Sequence, residues 1–144
     1  MSKIATDLEQ SRKLAKILAI DTADMHYVRE VTDFRGNSVD GEWSQVKYGS
    51  PNSHYANYIV QNFTSYEVIP AWSLSSLLTI IMERLYDKGW HYFSLEVYFN
   101  GDYHIDSEVL TTKLHEDAID ACVEIIIKLK EKGYYDTRRK SRSL

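Results

Sequence analysis

Glu96, His104 and Asp106 are the side chains whose types and spacing best suit chemistry. They flank Asn100-Gly101, a dipeptide that favours a tight hairpin turn, so folding would bring all three onto one face of a two-stranded ribbon. Glu96 would then lie opposite His104 or one position offset, with Asp106 two residues further along. A carboxylate beside an imidazole can orient it for acid–base work, and two carboxylates with a histidine could hold a divalent metal. The same pattern also describes a solvated outer sheet face, where cross-strand pairs of opposite character are routine.

Other candidates are weaker. His26, His54, His91 and His115 are scattered singly, without the i, i+4 spacing that lets one helix present two metal ligands. Asp21 and Asp24 flank a short turn and read as local hydrogen-bonding caps. Cys122 falls on the apolar side of a helical pattern, where a thiol behaves as a small hydrophobe. No G-x-G-x-x-G, Walker loop, G-x-S-x-G or C-x-x-C occurs, so the sequence calls for no cofactor and defines no metal-ligand set.

Two further sets suit binding rather than catalysis. The chain has 11 Tyr and 3 Trp, and Trp43, Tyr48, Tyr55 and Tyr58 fall within sixteen positions of one another, where such rings could anchor an interface or pack in a sheet. Arg138, Arg139, Lys140 and Arg142 make a basic end that could touch phosphates. A short basic end is also the ordinary composition of a disordered tail.

The elements that must position these residues follow from periodicity. Thr6 and Glu9 have capping-box spacing, predicting a helix over 7–19 with Leu8, Leu14, Ala15, Ile17 and Leu18 on its apolar side. Strands are expected over 25–34 and 42–48, separated by the loop residues of 35–41. Gly49 to Ser53 reads as a mobile loop, and 54–69 shows no clear period. Leu74, Leu77, Leu78, Ile81 and Leu85 share one helical face ahead of Gly89, predicting a helix over 73–88.

The hairpin at 91–109 can be given a register. A two-residue turn would pair Val97 with His104 and mix apolar and charged groups on one face. A three-residue turn of Phe99, Asn100 and Gly101 instead pairs Val97 with Tyr103 and Leu95 with Ile105, with the glycine in a left-handed bulge position. A last helix is expected over 113–132, with Leu114, Ala118, Ala121, Cys122, Ile125, Ile126 and Leu129 on a broad apolar side. Glu124 and Lys128 form a stabilising pair on its polar stripe.

Composition bounds the class. At 144 residues the chain fits one core, with 1–133 as a single domain and 134–144 as the basic tail. Its formal charge is −4, and setting the tail aside leaves 13 basic against 20 acidic residues, an imbalance that disfavours nucleic acid except through the tail. One cysteine, the absence of a signal-peptide pattern over the first residues, and no apolar run of membrane-spanning length together suggest a cytoplasmic protein without membrane contact.

Ala23-Asp24-Met25, Pro70-Ala71-Trp72-Ser73-Leu74 with Leu77-Leu78, and Asp120-Ala121-Cys122-Val123-Glu124 through Ile127-Lys128-Leu129 follow one another in a recurrent order. In this the chain resembles small uncharacterised proteins encoded in phage and prophage-like regions of gut bacteria. The resemblance implies a mobile-element origin and brings no cofactor or site residues with it.

The expectation is an α+β fold, an antiparallel sheet built around the 91–109 hairpin and packed against two or three helices. Three functions are compatible with it. The first is a non-enzymatic accessory module binding a protein partner or a second copy of itself. The second is a small metal-assisted enzyme on the polar hairpin face, and the third is nucleic-acid contact through the tail.

Overall fold

The computed structural model describes residues 3–51 and 65–135. The fold is α+β, as expected. Helix α1 (Leu8–Ala15) and a 3-10 turn (Ile20–Thr22) precede strands β1 (Met25–Thr32), β2 (Lys47–Tyr48) and β3 (Ser65–Ala71). Helix α2 (Leu74–Asp87), the hairpin β4 (Phe93–Val97) and β5 (Tyr103–Ser107), and helix α3 (Ala118–Glu131) follow. The antiparallel structure is divided between two sheets rather than gathered around the hairpin: β2-β1-β3 form one, β4-β5 the other.

Helix α3 is the spine. Eight of its fourteen residues are buried, so its broad apolar arc is spent inside the molecule. Against it pack Leu77, Ile81 and Leu85 of α2, Leu14 of α1 and Ile105 of β5. Helix α2 begins as its sequence requires, with Ser73 in an extended conformation accepting the amide of Ser76. Met82 and Tyr86, which widen its apolar arc, are exposed, so α2 is covered on one side only.

Both long helices end the same way. Past α2, Gly89 N–H donates to Tyr86 and Trp90 N–H to Leu85, each at 3.0 Å. Past α3, Gly133 N–H donates to Lys130 at 2.8 Å and Tyr134 N–H to Leu129 at 3.0 Å. These are paired Schellman closures, in which the residue after the glycine turns back onto the helix. Tyr134 and Tyr135 therefore pack on the core, and the folded chain runs two residues into the segment assigned to the tail.

Helix α1 is shorter than its pattern suggests and is capped one residue later. Asp7 and Gln10 make the capping box, while Thr6 is wholly buried, its hydroxyl 2.8 Å from that of Ser11 and accepting the amide of Trp72. The Thr6 amide in turn donates to Trp72 O at 3.0 Å. This two-way clasp fixes segment 3–7 along the exit of β3.

Strand β3 arises where the sequence shows no period. It pairs with β1 from Met25↔Ala71 to Thr32↔Ser65, with a bulge between Glu30 and Thr32. Pro70 lies opposite His26, and β3 is a terminal strand of its sheet, the position that tolerates a residue without an amide proton. The strand expected over 42–48 reduces to Lys47–Tyr48.

Candidate functional site

The hairpin has the register argued from the sequence: Val97 opposes Tyr103, Leu95 opposes Ile105 and Glu96 opposes His104. Its turn closes through Tyr98 N–H to Asp102 O at 2.8 Å and Gly101 N–H to Tyr98 O at 2.9 Å, with Gly101 at φ 89°. That left-handed conformation favours glycine. Asn100 and Asp102 add side-chain bonds across the turn, so its geometry is set before any ligand arrives.

On the polar face, Glu96 Oε1 lies 3.4 Å from His104 Nε2, within ion-pair range but not aligned as a hydrogen bond. The Tyr98 ring meets the imidazole edge-on at 5.1 Å between centroids. Glu96 Oε2 accepts from Ser94 Oγ at 3.0 Å, while Asp106 accepts from the hydroxyl of Thr111. Glu96 and His104 are thus brought together and Asp106 is held apart. Among the described residues, no three His, Cys, Asp or Glu side chains converge to hold a metal ion.

A tighter histidine–carboxylate pair lies elsewhere. His115 Nε2 is 2.6 Å from Glu124 Oε1, and Lys128 Nζ is 2.6 Å from Glu124 Oε2, so the anticipated Glu124–Lys128 pair forms and gains a third member. The Lys113 amide also donates to this carboxylate at 3.1 Å. Burial pushes the Glu124 pKa upward, but the Lys128, His115 and Lys113 bonds outweigh it and hold the group below its ordinary value. One turn earlier, Asp120 accepts from Lys3 Nζ at 2.7 Å and Gln10 Nε2 at 2.6 Å. Sequence spacing gave no signal for His115–Glu124, because His115 precedes the helix and reaches it only through the turn at Asp117.

The apolar side of the hairpin changes character along its length: Ile105 is fully buried and Leu95 and Phe93 pack on the core, but Val97 is 63% exposed. Phe99 in the turn and Tyr98 and Tyr92 on the polar face are exposed as well. Phe99 stands free in the turn. Beyond this, β5 is covered on its outer side: Tyr103 exchanges backbone bonds with His115, and the Thr112 amide donates to Ile105 O. The outer side of β4 is not covered by any described residue's backbone. Ladder alternation points the amides and carbonyls of Phe93, Leu95 and Val97 away from β5, and no other backbone among the described residues bonds to them.

The aromatics of 43–58 divide. Trp43 is half-buried, with the guanidiniums of Arg29 at 5.1 Å and Arg12 at 5.7 Å from its ring centre. Arg29 is itself held by Glu67 at 2.7 Å. Trp43 thus ties α1 to β1, whereas Tyr48 is 80% exposed. Tyr55, Tyr58, Arg138, Arg139, Lys140 and Arg142 lie outside the described residues. An open cleft of about 360 Å³ runs between α1 and α3, floored by Ile17 and Ile127 and edged by Lys13, Lys16, Lys130 and Glu131. None of the acid–base candidates lines it.

Asp24 caps across the fold rather than locally, accepting from the amide of Ser73 at 2.9 Å and from its hydroxyl. No described helix is long and apolar enough to cross a membrane. Neither a protein family, nor a curated protein, nor a solved structure matches the chain.

Proposed function

We propose that this chain is a non-enzymatic accessory protein that works by binding another protein, and that the hairpin tip is its contact surface. The observation that carries this reading is the run Val97-Tyr98-Phe99, three consecutive apolar side chains displayed to solvent on a turn locked by its own hydrogen bonds. Exposed rings on a rigid support make effective anchors, because little conformational freedom is lost when they are covered. The phage or prophage setting rests on the sequence resemblance alone.

The test is affinity purification of the tagged full chain from its native cells after nuclease treatment, alongside a Tyr98→Ser, Phe99→Ser variant. One protein recovered reproducibly with the wild type and depleted at least tenfold with the variant supports the reading. Equal recovery with both, or recovery of nothing, overturns it. Circular dichroism of the variant confirms that the fold survives.

A further inference from the structure

We propose that β4 is a self-pairing edge, through which two copies of the chain join antiparallel into one four-stranded sheet ordered β5-β4-β4-β5. This goes beyond the interaction reading: it places a second copy of the chain at the strand edge, beside the tip through which another protein binds.

Among the described residues, the fold closes one side of the hairpin and leaves the other open. Residues 111–115 satisfy β5, while the outward amides and carbonyls of Phe93, Leu95 and Val97 have no backbone partner among the described residues. Open edges in monomeric proteins are usually blunted by proline, lysine, a bulge or a covering segment. Phe93-Ser94-Leu95-Glu96-Val97 has no proline, lysine or bulge, and its lone charge, Glu96, is directed to Ser94 and His104 on the sheet face.

The sequence of this edge is complementary to itself in one register. Centring a two-fold axis on Leu95 sets Leu95 against Leu95 of the second copy, Phe93 against Val97, Glu96 against Ser94, and Tyr98 against Tyr92. Each Glu96 then faces a hydroxyl rather than a second carboxylate, which satisfies the charge requirement on directly opposed residues. The outward-pointing amides fall on Phe93, Leu95 and Val97 in both copies, so the bonding pattern of an antiparallel ladder is met. Val97, Tyr98 and Tyr92, all exposed in the isolated chain, gain cross-strand neighbours. A shift of one residue would turn the apolar face of one strand against the polar face of the other.

The experiment combines sedimentation of the full chain with mixed cysteine crosslinking. Ser94→Cys and Glu96→Cys are made separately. Opposed residues in an antiparallel pair sit about 4.5–5.5 Å apart, within disulfide range, whereas diagonal ones are about 7–8 Å apart and beyond it. The expected result is a dimer whose subunits crosslink under mild oxidation when the two variants are mixed and not when either is oxidised alone. Val97→Pro, which removes an outward amide, should weaken dimerisation at least tenfold, and Val97→Lys provides the same comparison if the proline variant fails to fold.

A monomer at all concentrations, crosslinking by either variant alone, or a dimer indifferent to both Val97 substitutions overturns the proposal. A monomer that still recovers another protein through Tyr98 and Phe99 leaves the broader interaction reading standing. A monomer that recovers none removes both.

Discussion

Trp90 gives its indole N–H to the hydroxyl of Tyr134 at 2.9 Å, and the two residues hold equivalent positions, each one step beyond the glycine that ends a long helix. The closures of α2 and α3 are therefore joined to each other. Tyr134→Phe removes the acceptor and leaves a part-buried donor unpaired, at an expected cost of about 0.5–1.5 kcal/mol. Trp90→Phe and the double variant complete a cycle in urea denaturation, where the two costs should add to more than the double variant loses.

Acid should destabilise the protein through α3. The Glu124 and Asp120 carboxyls have folded pKa values below their ordinary 4.5 and 3.8, because Lys128, His115, Lys3 and Gln10 outweigh the opposing effect of burial. Their contribution is complete above those ordinary values and is lost as pH falls through them toward the lowered folded ones. Glu124→Gln should cost about 1–2 kcal/mol at neutral pH, and its difference from wild type should shrink as the pH is lowered below 4.5. Urea midpoints measured across that range check the sign.

Gly41 is required for space. A Cβ there would stand 2.4 Å from the Glu30 carbonyl oxygen, which Gly41 N–H itself bonds at 3.1 Å. Gly41→Ala must push segment 39–44 off β1, with an expected cost of about 1–3 kcal/mol. Thermal melting would show this, together with a changed fluorescence of Trp43, whose ring sits on the displaced segment.

Cys122 is buried, and burial, aided by the Asp117 carboxylate, pushes its pKa up to about 12. The native thiol should resist aromatic disulfide reagents at pH 8 and react at least a hundredfold faster in denaturant. Rapid labelling of the native chain would contradict this placement. The same inertness keeps Cys122 out of the crosslinking test at β4.

Local rules reach some parts of this fold and not others. Helix α2 and the hairpin register were legible, because a serine cap, a glycine stop and an Asn-Gly turn act over a few residues. Strand β3 was not, since Tyr66, Val68 and Pro70 give no sustained alternation and its pairing is dictated by β1, about forty residues away in sequence. Turn rules place Phe99 at the hairpin tip, yet its exposure depends on where the core ends, which no turn rule contains. The spacing of Asp24 predicts a local cap, whereas its partner, Ser73, lies 49 positions later. His115 and Glu124, nine positions apart, carry no joint signal because a turn at Asp117, not one helical face, brings them together.

Segment 3–7 is stitched at one end to Trp72 and at the other to Asp117 and Asp120, 114 and 117 positions beyond Lys3. On a ribosome adding about 5–20 residues per second, that segment is made roughly 6–23 s before its last partners exist. A segment made that far ahead of its partners is thus among the last to be fastened. Until then segment 3–7 is held by the bonds of Thr6 to the Ser11 and Tyr27 hydroxyls and, once β3 is made, to the Trp72 backbone, and the final lock closes when the acidic first turn of α3 emerges.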